Sequence, residues 1–382
     1  MKKVLAILAS NVLYGKERSN IEVYSLLQAT GEYDVTVMLS DKADEKLRNA
    51  VSDLRVIYFD FADRHDRSLS KFALLKKIYS SNKQLRDIFK NEKADILMVN
   101  SELTIDDMYF ALMSFDGKIV YRIGDAPSYN GRALQFLNRI IWKTFCIDKV
   151  DTFVCISKYI KDKVEATGRR SPQDVIIYNY PPTRKTITTD ESLLYRAMGQ
   201  NMVKFGFLGQ LTMHKGAVHL TKAFREFIKN NEDSILYMAG SLKYSKIAPG
   251  KIREVIGEDL RDKIILLDEI EDIELFFRNI DVLCVPSIKE EPLGNVIVEA
   301  KKYGKPCIIF PSGGMPELIS HKQDGFVCSE KNVPALVEAL QWYYDNRSVI
   351  SEHCENSLKS VGTLGIDRKN FEQKWIDVFK NL

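Results

Sequence analysis

Val285-Pro286-Ser287-Ile288-Lys289-Glu290-Glu291-Pro292-Leu293-Gly294-Asn295-Val296-Ile297-Val298-Glu299-Ala300-Lys301-Lys302-Tyr303-Gly304 is the stretch on which the reading of this chain turns. It has the pattern of a buried strand ending at Pro286, a polar loop with paired acids, and a helix opening near Gly294 and closing at Gly304. A loop at the carboxyl end of a strand is where open α/β sheets bind ligands. Glu299 stands among Val296, Ile297, Val298 and Ala300. A carboxylate on so apolar a helix needs a partner, because burying a lone charge is costly. Glu291 precedes it with the spacing Glu-x7-Glu, and the amides of the helix's first turn lie between the two acids.

A chain of 382 residues exceeds one ordinary core and suits two domains. Its formal charge of +3 gives no global case for nucleic acid, although basic residues can still cluster locally. The opening Met1–Ala9 reads as a first β-strand rather than a secretory leader. No stretch approaches the roughly 20 apolar residues of a membrane-spanning helix. The six cysteines, at 146, 155, 284, 307, 328 and 354, form no Cys-x-x-Cys pair or metal-type cluster with the five histidines. They read as free cytoplasmic thiols, four of them (155, 284, 307 and 328) in apolar runs where cysteine acts as a small hydrophobe. No metal site is expected.

Outward from the central stretch, short β-branched runs alternate with helical ones, which predicts parallel strands joined by right-handed crossovers. In the first half the strands are Lys3–Leu8, Val35–Leu39, Arg55–Phe59, Ile96–Asn100, Lys118–Ile123, Thr152–Ser157 and Val175–Asn179. Helices are expected at Glu17–Thr30, Leu69–Asn91, Arg132–Cys146 and Lys158–Thr167. The prolines and threonines after Asn179 make a linker at Tyr180–Thr189. A second series follows, with strands at Val203–Leu208, Ile235–Ala239, Ile264–Leu267, Val282–Pro286 and Cys307–Phe310. The fold class is therefore α/β with two Rossmann-like domains. Phe371, Trp375, Ile376, Val378 and Phe379 give Arg368–Leu382 an apolar helical face that must dock.

No Gly-x-Gly-x-x-Gly follows the first strand and no P-loop occurs. The second series opens instead with Leu208-Gly209-Gln210-Leu211-Thr212-Met213-His214-Lys215-Gly216, a glycine turn and a Lys-Gly step into a helix over Ala217–Asn230. Gly209 allows a close approach to the backbone, and Lys215 places a point charge near a helix N-terminus, or else the step is only a turn. Acids at Asp268, Glu269 and Glu271 suit the first turn of the next helix, as ligands or as simple caps. Ser312-Gly313-Gly314-Met315-Pro316-Glu317 reads either as a flexible loop beside a ligand or as helix punctuation.

In this order the residues resemble the retaining glycosyltransferases of family 4. The Leu-Gly-x5-Lys-Gly turn, the Glu-x7-Glu block, the Gly-Gly-Met-Pro-Glu loop and Asp324-Gly325 carry the likeness. Val154-Cys155-Ile156-Ser157-Lys158-Tyr159, Gly168 and Val175–Asn179 support it in the first half. The resemblance implies the GT-B architecture, two Rossmann-like domains with parallel sheets facing a central cleft. Residues 1–181 would form the acceptor domain, 182–365 the nucleotide-sugar donor domain, and 366–382 a helix packing back on the first. It further implies a UDP- or GDP-sugar substrate and no cofactor. Glu291 would contact the donor sugar, Glu299 the ribose, and amides near Leu293 and Gly294 the diphosphate. Lys215 would offset diphosphate charge in place of a metal ion. Gly209 and Gln210 would line the donor, and Ile270 would flank the base. Asp125 would orient an acceptor hydroxyl or the donor sugar, with Gly15 and Glu17 on an acceptor-side loop.

Two positions depart from the family pattern. Gln210 stands where the family usually has arginine, and it can donate hydrogen bonds but cannot offset charge. Gly124 stands where many members carry histidine. The implied activity is transfer of a sugar, with retention, to a saccharide or lipid-linked saccharide of a bacterial surface polymer. A non-catalytic nucleotide-sugar-binding protein and a GT-B nucleotide-sugar 2-epimerase stay open as alternatives. Basic and aromatic residues mix in Arg132–Lys149, and lysines crowd Lys71–Lys93. Either run reads as a core-facing helix or as peripheral contact with an anionic membrane at the inner face of the plasma membrane.

Overall fold

Parallel strands cannot be joined by tight turns, so each must be followed by a crossover over a sheet face. The computed structural model describes residues 1–13, 15–62, 70–100, 105–127, 139–180, 202–241, 247–270 and 272–382. The chain forms two compact units, Met1–Tyr178 with Arg368–Leu382, and Asn179–Asp367.

The first unit holds strands β1 (Lys2–Leu8), β2 (Tyr33–Ser40), β3 (Arg55–Phe59), β4 (Ile96–Asn100), β5 (Lys118–Ile123), β6 (Thr152–Cys155) and β7 (Val175–Ile176). They pair in parallel in the order β3-β2-β1-β4-β5-β6-β7. Strand β4 is buried at all five positions and β1 at its last five, because helices cover both faces. Those helices are α1 (Gly15–Ala29), α2 (Glu45–Ala50), α3 (Lys71–Glu92), α4 (Ile105–Met113) and α5 (Lys158–Glu165).

Local chemistry sets the boundaries. Ser157, expected within a strand, instead caps α5 by accepting from Ile160 N at 3.1 Å, so β6 stops at Cys155. The strand expected over Val175–Asn179 pairs as a ladder only at Val175 and Ile176. Of the helix expected over Arg132–Cys146, residues 132–138 lie outside the described residues. Residues 139–141 are helical, and Trp142–Ile147 winds as a π-helix that buries Phe145 and Cys146. Behind it Arg169 donates to the carbonyls of Cys146, Ile147, Val150 and Asp151 and pairs with buried Asp174 at 2.8 Å. One guanidinium thus satisfies the carbonyls where this segment turns into β6.

The second unit holds β8 (Val203–Leu208), β9 (Ser234–Ala239), β10 (Ile264–Leu267), β11 (Val282–Val285), β12 (Cys307–Ile309) and β13 (Gly325–Val327), ordered β10-β9-β8-β11-β12-β13 and all parallel. Its helices are α6 (Ala217–Phe227), α7 (Ala248–Ile256), α8 (Ile273–Arg278), α9 (Asn295–Lys302), α10 (Val333–Asp345) and α11 (Ile350–Leu364). Phe205, Phe224, Phe227, Leu336 and Tyr343 are buried in one continuous core. The short β13 has no counterpart in the sequence reading. The cap of α8 is Asp272, which accepts from Leu275 N at 2.9 Å, rather than Asp268 or Glu269, and Glu271 lies outside the described residues. Met315–Leu318 is a single 3₁₀ turn. All six cysteines are free, and burial pushes the Cys155, Cys307 and Cys328 thiols up to about 12.

Helix α12 (Arg368–Lys380) belongs to the first unit, where Phe379 meets Tyr33 edge-on at 5.4 Å and the Arg122 guanidinium lies 5.8 Å from the Trp375 ring. The Tyr180–Thr189 linker lies outside the described residues beyond Tyr180 itself.

One ion pair inside the second unit bears directly on stability. Lys301 on α9 is fully buried, and its Nζ donates to Asp324 Oδ2 and Ser360 Oγ, each at 2.8 Å. Asp324 also accepts from Ser320 N at 2.9 Å. Removing one member leaves the other charge buried alone, so Lys301→Ala should destabilise by about 3–5 kcal/mol. Replacing both, Lys301→Met with Asp324→Leu, should cost markedly less. Urea unfolding reads both, and an unchanged midpoint for Lys301→Ala would refute a structural role for the pair.

Candidate active site

In the second sheet the strand order reverses between β8 and β11, so right-handed crossovers on either side leave to opposite faces. Such a switch point leaves a crevice at the carboxyl edge. The loop after β8 carries Gly209, Gln210 and Lys215, and the loop after β11 carries Glu291. They meet: Lys215 Nζ lies 2.7 Å from Glu291 Oε1, with the lysine about two-fifths exposed and the glutamate 17% exposed.

Backbone geometry holds the two loops together. Ile288 N donates to His214 O at 2.8 Å. Gly216, the residue before α6, has φ +74°, and a Cβ there would fall 1.8 Å from Pro286 O. Only glycine lets the Lys215 turn lie so close to the β11 loop. Gly209, at φ +149°, has open space where its Cβ would be. Gln210 is exposed.

A third loop braces the acidic one. Gly314 N donates to Glu291 O at 2.8 Å, Gly313 N donates to the Glu290 carboxylate, and Ser312 Oγ donates to Lys289 O at 2.9 Å. Lys331 closes the arrangement with Glu290 Oε1 at 2.5 Å, Ser312 Oγ at 3.2 Å and Ile288 O at 3.3 Å. Gly313, at φ +59°, would put a Cβ 2.0 Å from Glu291 O. The Gly-Gly step is thus the mate of the Glu290-Glu291 loop. Sequence reading missed Glu290 and Lys331. Forty-one positions separate them, and nothing local to either marks the pair.

Beyond the acids the chain enters α9 through Gly294, at φ +93°. Leu293 is buried; of the first-turn amides, Ile297 N donates to Gly294 O at 2.9 Å, and a helix start leaves amides without a partner one turn back. Glu299, 9% exposed, sits one turn on, between buried Val298 and Ala300. Ile270, half-buried, follows β10, two strands away from β8.

The first unit has its own charged cluster at the carboxyl edge of its sheet. Lys16, at the start of α1, reaches Asp125 after β5 at 2.7 Å. Gly15 is exposed, Glu17 is 1% exposed, and Gly124 is buried. Below them Arg122 is enclosed, donating to Ser19 Oγ at 2.6 Å and to Asn20 Oδ1, and burial pulls its pKa down to about 10. Neither Lys16 nor Arg122 was singled out from sequence.

Residues 199–359, containing the switch point and all three loops, match the family of glycosyl transferases group 1. A Haemophilus influenzae glycosyltransferase is 23% identical over 309 residues, covering 80% of this chain and 82% of its own. An Escherichia coli UDP-Gal:alpha-D-GlcNAc-diphosphoundecaprenol alpha-1,3-galactosyltransferase is 22% identical, with 93% of this chain and 92% of its own aligned. The Anabaena protein HepE, solved in complex with UDP, superposes over the whole of both chains with a TM-score of 0.78 at 19% identity. The two parallel-sheet domains have the GT-B fold expected from sequence.

The glycines of the second unit separate two causes of strain. Gly209→Ala should cost only the backbone preference, about 1 kcal/mol. Gly216→Ala adds a collision with the Pro286 carbonyl and should cost roughly 2–3 kcal/mol or more. Urea unfolding of the two variants checks the order, and equal losses would contradict the close approach.

Proposed function

We propose that the protein transfers a sugar from a nucleotide-diphosphate sugar to a hydroxyl of a saccharide or lipid-linked saccharide, with retention at the anomeric carbon. The observation that carries this reading is the Lys215–Glu291 contact at the switch point, a cation and an acid held side by side where parallel sheets take ligands. UDP bound to HepE and the lipid-diphosphate acceptor named for the Escherichia coli relative support the substrate classes.

Glu291 accepts hydrogen bonds from the donor sugar's hydroxyls, and Glu299 accepts from the ribose. The amides near Leu293 and Gly294 meet the diphosphate, where a helix start favours an anion. The acceptor oxygen attacks the anomeric carbon on the face the phosphate leaves. The bond from that carbon to the phosphate oxygen breaks, and its electron pair departs with the nucleoside diphosphate. The acceptor's proton passes to the departing phosphate oxygen. Lys215 offsets the charge that grows there, with no metal ion assigned to the task. Gln210 contributes a hydrogen bond but no charge, so leaving-group stabilisation rests on Lys215 and the amides. Gly209 leaves room for the donor, and Ile270 flanks the base. In the first unit Asp125, Gly15 and Glu17 serve the acceptor.

Binding and transfer separate these roles. Glu291→Ala should leave UDP or GDP binding within about twofold while abolishing transfer. Glu299→Ala should weaken the nucleotide itself by about tenfold or more, the loss of a hydrogen bond to a charged group. Thermal shifts with a panel of nucleotides and nucleotide sugars identify the donor, since a ligand stabilises with the logarithm of its concentration over its dissociation constant. Equal loss of nucleotide in both variants would contradict the division of labour. An epimerised donor formed without acceptor, or binding with no turnover and no slow donor hydrolysis, would overturn sugar transfer.

A further inference from the structure

The acidic loop carries two adjacent glutamates, and each has its own lysine. Glu291 meets Lys215 at 2.7 Å, whereas Glu290 meets Lys331 at 2.5 Å. Carboxylates one residue apart on a loop compete for the same cation, so the division has to be enforced. Lys331 is placed to enforce it.

The main chain around Lys331 is fixed from both directions. Cys328 N donates to Ile309 O at 2.8 Å, and Asn332 caps α10 by accepting from Ala335 N at 2.9 Å. The Lys331 side chain is 24% exposed. An ammonium has three N–H donors, and here each finds an acceptor: Glu290 Oε1, Ser312 Oγ at 3.2 Å and Ile288 O at 3.3 Å. Buried Ser312 carries the chain onward by donating to Lys289 O at 2.9 Å. The other oxygen of Glu290 accepts from Gly313 N, and Gly314 N donates to Glu291 O at 2.8 Å. Four consecutive residues, Ile288 to Glu291, are therefore each tied down at a carbonyl or a carboxylate. Lys331 holds two of them directly and a third through Ser312. A lone exposed ion pair is worth little, but these charge-assisted bonds share their members and act as one network.

We propose that Lys331 is a positioning residue for sugar transfer: it commits Glu290 to the Ser312–Gly314 loop and so leaves Glu291 as the acid that faces Lys215 and the donor. This rests on the reading of Glu291 as the contact to the donor sugar. Among the described residues Lys331 makes no bond to the Glu291 carboxylate, so it acts through the loop. Without its ammonium, Glu290 turns to Lys215, and the main chain beneath Glu291 loses two of its ties. A displacement of about 1 Å near reacting groups can cost about a hundredfold in rate.

Lys331→Met keeps the length of the side chain and removes its donors, and Lys331→Arg is the conservative counterpart. Amide hydrogen exchange on the free protein should show Gly313 and Gly314 exchanging at least about tenfold faster in Lys331→Met, and close to the parental rate in Lys331→Arg. With the donor that the nucleotide-sugar panel identifies, kcat should fall about 10–100-fold in Lys331→Met, while UDP or GDP binding stays within about twofold. Lys331→Arg should recover most of kcat. Glu290→Gln should also lower kcat, and the double variant should lose no more than Lys331→Met alone, since the two residues work as a unit. Parental exchange at the two glycines, a parental kcat in Lys331→Met, or losses that add in the double variant would overturn the proposal. A merely structural lysine would lower the thermal midpoint and leave kcat of the folded protein unchanged. Full transfer by Glu291→Ala would instead overturn the reading on which this rests, and exchange at Gly313 and Gly314 would still decide whether Lys331 braces the loop.

Discussion

Parallel pairing is the constraint from which the rest of this structure descends. Each strand must be followed by a crossover before the next can pair, so every strand in a sheet ends on the same edge. In the second unit that edge gathers the ends of β8, β9, β10, β11 and β12, and the loops leaving it need not form regular structure. Where successive crossovers part to opposite faces, between β8 and β11, a crevice is left at the strand ends. Lys215 and Glu291 come from the two loops on either side of that gap. Neither has to be placed by a long-range coincidence, because the topology delivers both.

Topology sets the neighbourhood but leaves the last few ångströms to particular residues. Gly216 allows the Lys215 turn to rest on the Pro286 carbonyl. Gly313 and Gly314 lay a second backbone against Glu291, and Lys331 bridges Glu290 to that loop. Away from the edge, Lys301 and Asp324 join α9 to the segment before β13 and to α11 through Ser360. The helix carrying Glu299 is thereby anchored by a buried charge pair. Loops at strand ends are often mobile, whereas these are fastened by backbone hydrogen bonds from several directions.

Most of the fold was legible because parallel sheets are built from local signals: β-branched runs of strand length, serine and aspartate caps, glycine stops. Strands β3, β4, β5, β8 and β10 begin and end where their residue patterns do. Legibility failed where a signal was short or was overruled. Gly325–Val327 pairs as β13 over only three residues beside a glycine, too brief to stand out. Ser157 carries a hydroxyl that caps better than it continues a strand, and its β-like neighbours concealed this. The π-helical turn at Trp142–Ile147 has no residue pattern of its own. Within the candidate site, the residues on the turns that border the switch point, Gly209, Lys215 and Glu291, were visible from motif spacing. Lys331, Lys16 and the Arg122–Asn20 contact were not, since a polar contact between distant positions leaves no mark on the sequence around either member.

Helix α12 bears on how the chain comes to be folded. It follows the whole of the second unit in sequence, yet its Phe371, Trp375 and Phe379 fill the core of the first. On the ribosome, therefore, the unit that emerges earliest is the one completed latest. Until Arg368–Lys380 has emerged, the apolar surface around Tyr33 and the aliphatic flank of Arg122 stays open, while the second unit already holds every strand it needs. The later-made half can thus close first, and the earlier-made half must wait in a partly packed state of the kind that chaperones recognise.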